Sequence, residues 1–182
     1  MPSLNIKNDN SMAMERKRFE SPIFTAGLFA IIFLGLIATA LDPTGLARSS
    51  GGVIRAESLS ILNLVLLALG LFMFVAGVVI RFVAIATLKR NFSGALRIRA
   101  DHTLVKNGIY RQVRHPAYLG AILLFAGIPV MLSSLLGFLV MLLLVPYLLR
   151  RIKLEESMMI ERLGKEYEDY MRSSRRLLPF SY

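Results

Sequence analysis

Both histidines of the chain, His102 and His115, fall within one stretch of fourteen residues. The surrounding segment, residues 101–118 (DHTLVKNGIYRQVRHPAY), adds Asp101, Tyr110, Tyr118, Lys106, Arg111 and Arg114, with Arg99 just upstream. Ring faces, hydroxyls, cations and a carboxylate are thus gathered between two strongly apolar stretches, and ionisable groups beside a membrane mark a site by default. Arg151, Glu155 and Glu156 follow the next apolar stretch closely enough to join them. Such a set suits a charged cofactor on its water side and an apolar substrate on its lipid side. Several chemistries drop out. No acidic or cysteine partner stands at metalloprotease spacing from either histidine, so no metal is expected. There is no G-x-S-x-G nucleophile signal, no G-x-G-x-x-G and no P-loop.

The elements that must position these residues are membrane helices. The 182-residue chain is 55% hydrophobic and has no cysteine, and its mean hydropathy is +0.58. Lacking cysteine, it has no disulfide, thiolate metal site or thiol catalysis. Apolar runs occupy residues 22–41, 59–80, 117–132 and 135–149. The first two are long enough to cross a bilayer, which takes about 20 residues. The third, sixteen residues long, would cover about 24 Å as a helix, short of a hydrocarbon core of about 30 Å. With only Ser133-Ser134 before the fourth, the pair reads as a tight helical hairpin. Ala117, Gly120, Ala121, Ala126 and Gly127 would let backbones approach closely, and Pro129 and Pro146 would bend their helices. The fold expected is an all-α integral membrane protein. It has about four transmembrane helices, counting the short hairpin, plus a C-terminal amphipathic helix.

Along the chain, residues 1–20 form a polar cytoplasmic arm, residues 21–90 hold two transmembrane helices, and residues 91–182 hold the chemistry. Ser21-Pro22 reads as an N-cap followed by proline at the first helical position. Ala38-Thr39-Ala40 resembles a signal-peptidase site, but the long arm and long apolar run favour a retained helix. Asp42-Pro43-Thr44-Gly45 ends that helix. Arg81 is placed to snorkel at the end of the second span, and residues 82–88 prolong it until Asn91-Phe92-Ser93-Gly94. Residues 96–99 alternate apolar and basic, as a short strand or extended interfacial segment would, and Asn107-Gly108 signals a tight turn. After Leu149 the sequence becomes amphipathic, with Gly164 interrupting it or permitting close packing.

The net charge of +10 does not point to nucleic acid, because the basic residues flank the apolar runs. With four passes, twenty Lys and Arg lie on one side and two, Arg48 and Arg55, on the other. The richer side is cytoplasmic by the positive-inside rule. That places both termini, the 101–118 segment and the stretch from Arg150 in one compartment.

Taken singly, these residues have plainer uses. His115-Pro116 is a cap and turn, Arg150 and Arg151 are interface anchors, Glu155 and Glu156 form a solvated face, and the tyrosines join an aromatic belt. Their joint spacing says more. HTLV, then G-x-Y, then RHP-x-Y, then an arginine four residues before a glutamate, then G-x-E-Y-x-x-Y, occur in this order. The series resembles the isoprenylcysteine carboxyl methyltransferase family, membrane enzymes that use S-adenosylmethionine and release S-adenosylhomocysteine. The resemblance covers roughly residues 91–179, about half the chain.

It implies that His102, Thr103, Leu104, Val105, Tyr110, His115, Pro116, Ala117, Tyr118 and Glu155 bind the cofactor, and that Arg151 acts on the substrate. Ala95 stands near a glutamine that eukaryotic members use. The implied reaction is methyl transfer to the carboxylate of a lipophilic acceptor such as a prenylated cysteine. A phospholipid N-methyltransferase shares the setting, but its ammonium acceptor would have to lose a proton and would be repelled by Arg151. An NADPH-dependent membrane reductase would set Arg97, Arg99 or Arg111 on a 2′-phosphate, and a non-enzymatic scaffold is the last alternative.

Overall fold

A computed structural model describes residues 22–43, 60–88 and 104–177 of the chain. The arm of residues 1–20, Ser21, most of the 42–58 linker, the stop at residues 91–94, the 96–99 segment, Ala95, Asp101, His102 and Thr103 lie outside the described residues. Helix α1 spans Pro22–Leu41, with proline at its first position, and α2 spans Ile61–Leu88. Ser60 Oγ accepts the Asn63 N–H at 3.2 Å, which satisfies one of the donors that a helix start leaves open. A 3-10 turn at Gly108–Arg111 leads to α3, Pro116–Met131. Then come α4, Leu135–Leu142, α5, Leu144–Leu163, and α6, Lys165–Ser173. No strand occurs among the described residues, only an isolated parallel bridge between Val113 and Arg175.

Among the described residues, two helices are long and apolar enough to cross a membrane, Ile61–Leu88 and the α4–α5 run Leu135–Leu163. Their outward faces carry large apolar side chains in the open, such as Phe72 at 71% and Phe82 at 72% exposure. Water does not tolerate a face of that kind over a whole helix, whereas lipid does. At 28 residues, α2 is about 42 Å long and outruns the hydrocarbon, as its continuation past Arg81 anticipates.

The hairpin forms with its expected break. Ser133 adopts φ 53° and Ser134 caps α4, accepting the Gly137 N–H at 3.0 Å. The end of α1 closes on this tip. Asp42, 2% exposed, accepts the Ser134 hydroxyl at 2.8 Å and the Leu136 N–H at 3.0 Å. A carboxylate at a helix start is favoured by the helix dipole, so the residue read as a turn former also fastens α1 to α4.

The helix boundaries after the hairpin differ from expectation. The fourth apolar run is cut at Leu143, and its second half continues without a break into the charged sequence as α5. Pro146 explains the cut, since its ring opposes the carbonyl of residue 142 and it donates no N–H. The C-terminal amphipathic segment is accordingly the end of α5 plus a separate α6. They divide at Gly164, whose φ of 53° and ψ of −128° suit a residue without Cβ.

The α2–α3 pair carries the site, and its closeness comes from glycines seven residues apart on each helix. A Cβ on Gly77 would stand 2.7 Å from Gly120 O, and one on Gly127 would stand 2.8 Å from Gly70 O. Backbone here meets backbone, the packing that small residues allow in membranes. Gly77→Val is therefore expected to cost about 1–3 kcal/mol, the usual penalty of overpacking. A thermal unfolding scan in detergent would show it as a lowered midpoint, and an unchanged midpoint would mean that α2 and α3 separate freely.

Candidate active site

The C-terminal end of α2, the start of α3, the 3-10 turn, the second half of α5 and α6 converge on the RHP-x-Y segment. Gly108, at φ 58°, makes the expected turn and opens the 3-10 helix. Tyr110, 6% exposed, drops its hydroxyl onto Ala84 O of α2 at 3.4 Å, and its own carbonyl accepts the Tyr170 hydroxyl at 2.6 Å. Burial raises the Tyr110 phenol well above its ordinary range, with the charge of Glu155 adding to the shift. Burial likewise pushes Tyr170 up to about 12. Both are hydroxyl donors at neutral pH, and both tie elements together. Arg81 does more than reach for the interface, since its Nη1 donates to Ala117 O in the first turn of α3 at 3.1 Å.

His115 is the N-cap of α3 with Pro116 in the first turn, yet its side chain makes no cap bond. The backbone on either side of it is held by the segment after α6. Arg114 N–H donates to Arg175 O at 2.7 Å, His115 N–H to Arg176 O at 3.1 Å, and Arg175 N–H to Gln112 O at 2.8 Å. Two short stretches thus run side by side like parallel strands.

Two polar groupings result, one reachable and one buried. In the first, the Tyr118 hydroxyl donates to Glu155 Oε2 at 3.0 Å and accepts from Arg151 Nε at 2.9 Å. One phenol hydroxyl links the guanidinium and the carboxylate that stand a helical turn apart on α5. All three residues are half-buried, so a ligand can reach them. The His115 ring lies 5.9 Å from that of Tyr118, tilted 41°.

The second grouping centres on Glu156. Adjacent helical positions point about 100° apart, so Glu156 turns away from Glu155 and into the protein. Its Oε1 accepts Arg114 Nε at 3.0 Å and lies 3.3 Å from His115 Nε2, and its Oε2 accepts Arg176 Nη2 at 2.7 Å. The side chains of Arg114, His115 and Glu156 are 8%, 5% and 5% exposed. A carboxylate at that depth stays charged only with such partners. Arg114 also caps α6, its Nη1 donating to Met171 O at 2.9 Å and to Ser174 O. Cations are favoured at a helix C-terminus.

The structure therefore brings together Tyr118, Arg151, Glu155 and, through its ring, His115. Pro116 is buried, while Leu104 and Val105 are half-buried at the approach to the 3-10 turn. Ala117 offers its carbonyl to Arg81, and the Tyr110 hydroxyl is engaged with α2. No group of three or more His, Cys, Asp or Glu able to hold a metal occurs among the described residues. The sequence reading left Arg114 and Arg176 without roles and Glu156 without partners. A buried glutamate facing basic residues some forty and twenty positions away leaves no local pattern.

A sequence model of the isoprenylcysteine carboxyl methyltransferase family matches residues 68–161, more than half of the chain. The chain belongs to this family. The match runs from within α2 through the Tyr118–Arg151–Glu155 grouping and takes in Glu156. A probable protein-S-isoprenylcysteine O-methyltransferase of Oryza sativa subsp. indica is 37% identical over 114 residues, 61% of this chain and 60% of the rice protein. The protein-S-isoprenylcysteine O-methyltransferase of Rattus norvegicus is 35% identical over 116 residues, 62% of this chain and 41% of the rat protein. The chain thus matches about three fifths of the length of the rice relative and less of the rat one. Among solved structures, the eukaryotic intramembrane Ras methyltransferase ICMT aligns with a TM-score of 0.65 and 28% identity, over 88% of this chain and 53% of that one. Membership in a methyltransferase family implies a methyl donor, and the apolar helices agree with a membrane setting.

Proposed function

We propose that the protein is a membrane-embedded methyltransferase that moves a methyl group from S-adenosylmethionine to the carboxylate of a lipophilic acceptor such as a prenylated cysteine. The observation that supports it best is the Arg151–Tyr118–Glu155 chain, where one hydroxyl joins a carboxylate-binding cation to an anion that can receive a cofactor's hydroxyls or amine. The donor set fits S-adenosylmethionine, with an accessible carboxylate for its polar groups and the neighbouring His115 and Tyr118 rings for its flat base. Glu155, Tyr118 and His115 would hold it, together with the half-buried Leu104, Val105 and Ala117, with His102 and Thr103 proposed from the sequence alone. When bound, the cofactor supplies a methyl group on a sulfonium, open to attack by an ionised oxygen.

The protein's part is positioning. Arg151, fixed through its Nε on Tyr118, presents a fork to the acceptor carboxylate and leaves an oxygen lone pair aimed at the methyl group. No general base is needed, because a carboxyl group of pKa about 3.5 is already ionised at neutral pH. Holding both reactants in line and away from water provides the acceleration. The rate is accordingly expected to be flat between about pH 6 and 8, whereas an ammonium acceptor would react faster as pH rises and its proton leaves.

The product distinguishes acceptor classes. Purified protein given labelled S-adenosylmethionine and a farnesylated cysteine analogue should form a methyl ester, which releases labelled methanol in base. A base-stable label on an amine lipid would instead identify a phospholipid N-methyltransferase. Binding of NADPH with no binding of S-adenosylhomocysteine would identify a reductase.

The same reading includes four membrane passages, with the site, residues 1–20 and the segment after α6 on the cytoplasmic side, as the twenty-to-two distribution of basic residues favours. The chain contains no cysteine, so a single Ser50→Cys can be labelled without background. Labelling by a membrane-impermeant reagent from the non-cytoplasmic face is expected, and labelling from the cytoplasm alone would invert or reduce the passages.

A further inference from the structure

Among the described residues Glu156 meets the side chains of Arg114, His115 and Arg176, and of these only His115 also borders the accessible grouping beside it. Its partners come from both ends of the functional half of the chain: Arg114 and His115 at the start of α3, and Arg176 after α6. The carboxylate is buried and Arg176 is half-exposed, so the ion pair at 2.7 Å reaches from surface to interior. The backbone bonds of Arg175 and Arg176 to residues 112–115 align the same two segments. Side-chain and main-chain contacts therefore fix one thing together, the position of His115 at the head of α3.

His115 is one helical turn from Tyr118 and 5.9 Å from its ring, and Tyr118 holds both Arg151 and Glu155. We propose that Glu156 is a positioning residue for the cofactor site and that Arg176, outside the residues matched by the family model, completes that site from the segment after α6. The inference rests on the cofactor reading given above. Glu156 touches neither reactant in this scheme. It fixes the rotation of the imidazole, and with it the wall against which the cofactor's base lies. Arg176 closes the segment after α6 over the loop that carries His115, like a clasp.

Ligand affinity in folded protein separates this from a purely structural ion cluster. A cluster that only held α5 to the loop would affect stability and leave ligand affinity alone. A positioning cluster changes cofactor affinity in protein that remains folded, because a ring displaced by less than an ångström no longer meets its ligand. Charge is decisive, since a neutral amide of the same shape can fill the space but cannot hold two guanidinium groups and an imidazole.

Glu156→Gln is expected to weaken S-adenosylhomocysteine binding about tenfold, a loss of about 1.4 kcal/mol. Arg176→Gln is expected to weaken it about threefold, and Arg176→Lys to recover part of that. The double variant Glu156→Gln/Arg176→Gln should bind no more weakly than Glu156→Gln alone, because Arg176 acts through the carboxylate. Calorimetry in detergent reads affinity, a thermal scan of the same samples reads folding, and the KM for acceptor should stay near that of the wild type. Arg176→Gln carries the test if Glu156→Gln does not fold, since its side chain is 40% exposed. Wild-type affinity in folded variants with lowered midpoints would make the cluster structural and overturn the inference. Failure of the wild-type protein itself to bind S-adenosylhomocysteine would overturn the cofactor reading, and this inference with it.

Discussion

Arg151→Ala is expected to lower the rate of methyl transfer to a prenylated cysteine analogue by about 30- to 1000-fold. A guanidinium fork on a carboxylate in a partly desolvated site contributes about 2–4 kcal/mol, much of it the penalty of leaving the anion unpaired once the fork is gone. At about 1.36 kcal/mol per tenfold change, that gives the range stated. The loss should fall on kcat/KM for the acceptor, while the Kd for S-adenosylhomocysteine stays within about threefold of wild type, because Glu155 and the rings remain. The Arg151 Nε to Tyr118 hydroxyl bond, 2.9 Å long, makes lysine a poor substitute. An ammonium offers one point of charge, and it cannot hold Tyr118 and a carboxylate in a single plane. Arg151→Lys is expected to recover less than a tenth of the lost rate. Methyl transfer at the wild-type rate by Arg151→Ala would remove the carboxylate assignment and return the amine-lipid alternative.

The parts of this site that sequence exposes are those that obey a local period. Arg151 and Glu155 are four residues apart, which on any helix gives one face, and the structure gives them a common partner in Tyr118. The hairpin was legible because Ser133-Ser134 interrupts a long apolar run, and a close approach to α3 because small residues recur along it, although nothing in that pattern names α2 as the partner. What sequence conceals is long-range or depends on where a helix is cut. Residues 149 and 150 mark the sharpest change in composition, yet the chain passes through them in one helix. The cut is set by Pro146, which acts on the preceding turn. Tyr110 reads as a ligand in the family pattern, and the pattern gives no sign that its hydroxyl also meets α2, twenty-six residues earlier in the chain. Glu156 reads like its neighbour on a solvated face. Only the packed arrangement of α3, α5 and α6 shows that the two glutamates point into different surroundings, one open and one closed.

That division fixes what the open glutamate should do. Glu155→Ala is expected to weaken S-adenosylhomocysteine binding by about 10- to 150-fold, the equivalent of about 1.5–3 kcal/mol for a hydrogen bond to a charged group. The side chain is half-buried and its Oε2 is 3.0 Å from the Tyr118 hydroxyl, so the carboxylate is held in one place before a ligand arrives and needs little ordering to bind it. Tyr118→Phe keeps the ring but removes that bond and the Arg151 anchor, and about a three- to tenfold weakening is expected from the loosened carboxylate. If Tyr118 acts through Glu155, the double variant Glu155→Ala/Tyr118→Phe will bind about as well as Glu155→Ala alone, since the hydroxyl then has no carboxylate to hold. Additive losses would mean that the hydroxyl touches the cofactor directly. The acceptor KM, read at saturating methyl donor, should move little in Glu155→Ala, the reverse of the Arg151 pattern, whereas Tyr118→Phe, which also releases the Arg151 guanidinium, should raise it. Wild-type affinity for S-adenosylhomocysteine in both Glu155→Ala and Tyr118→Ala would place the cofactor elsewhere on the protein.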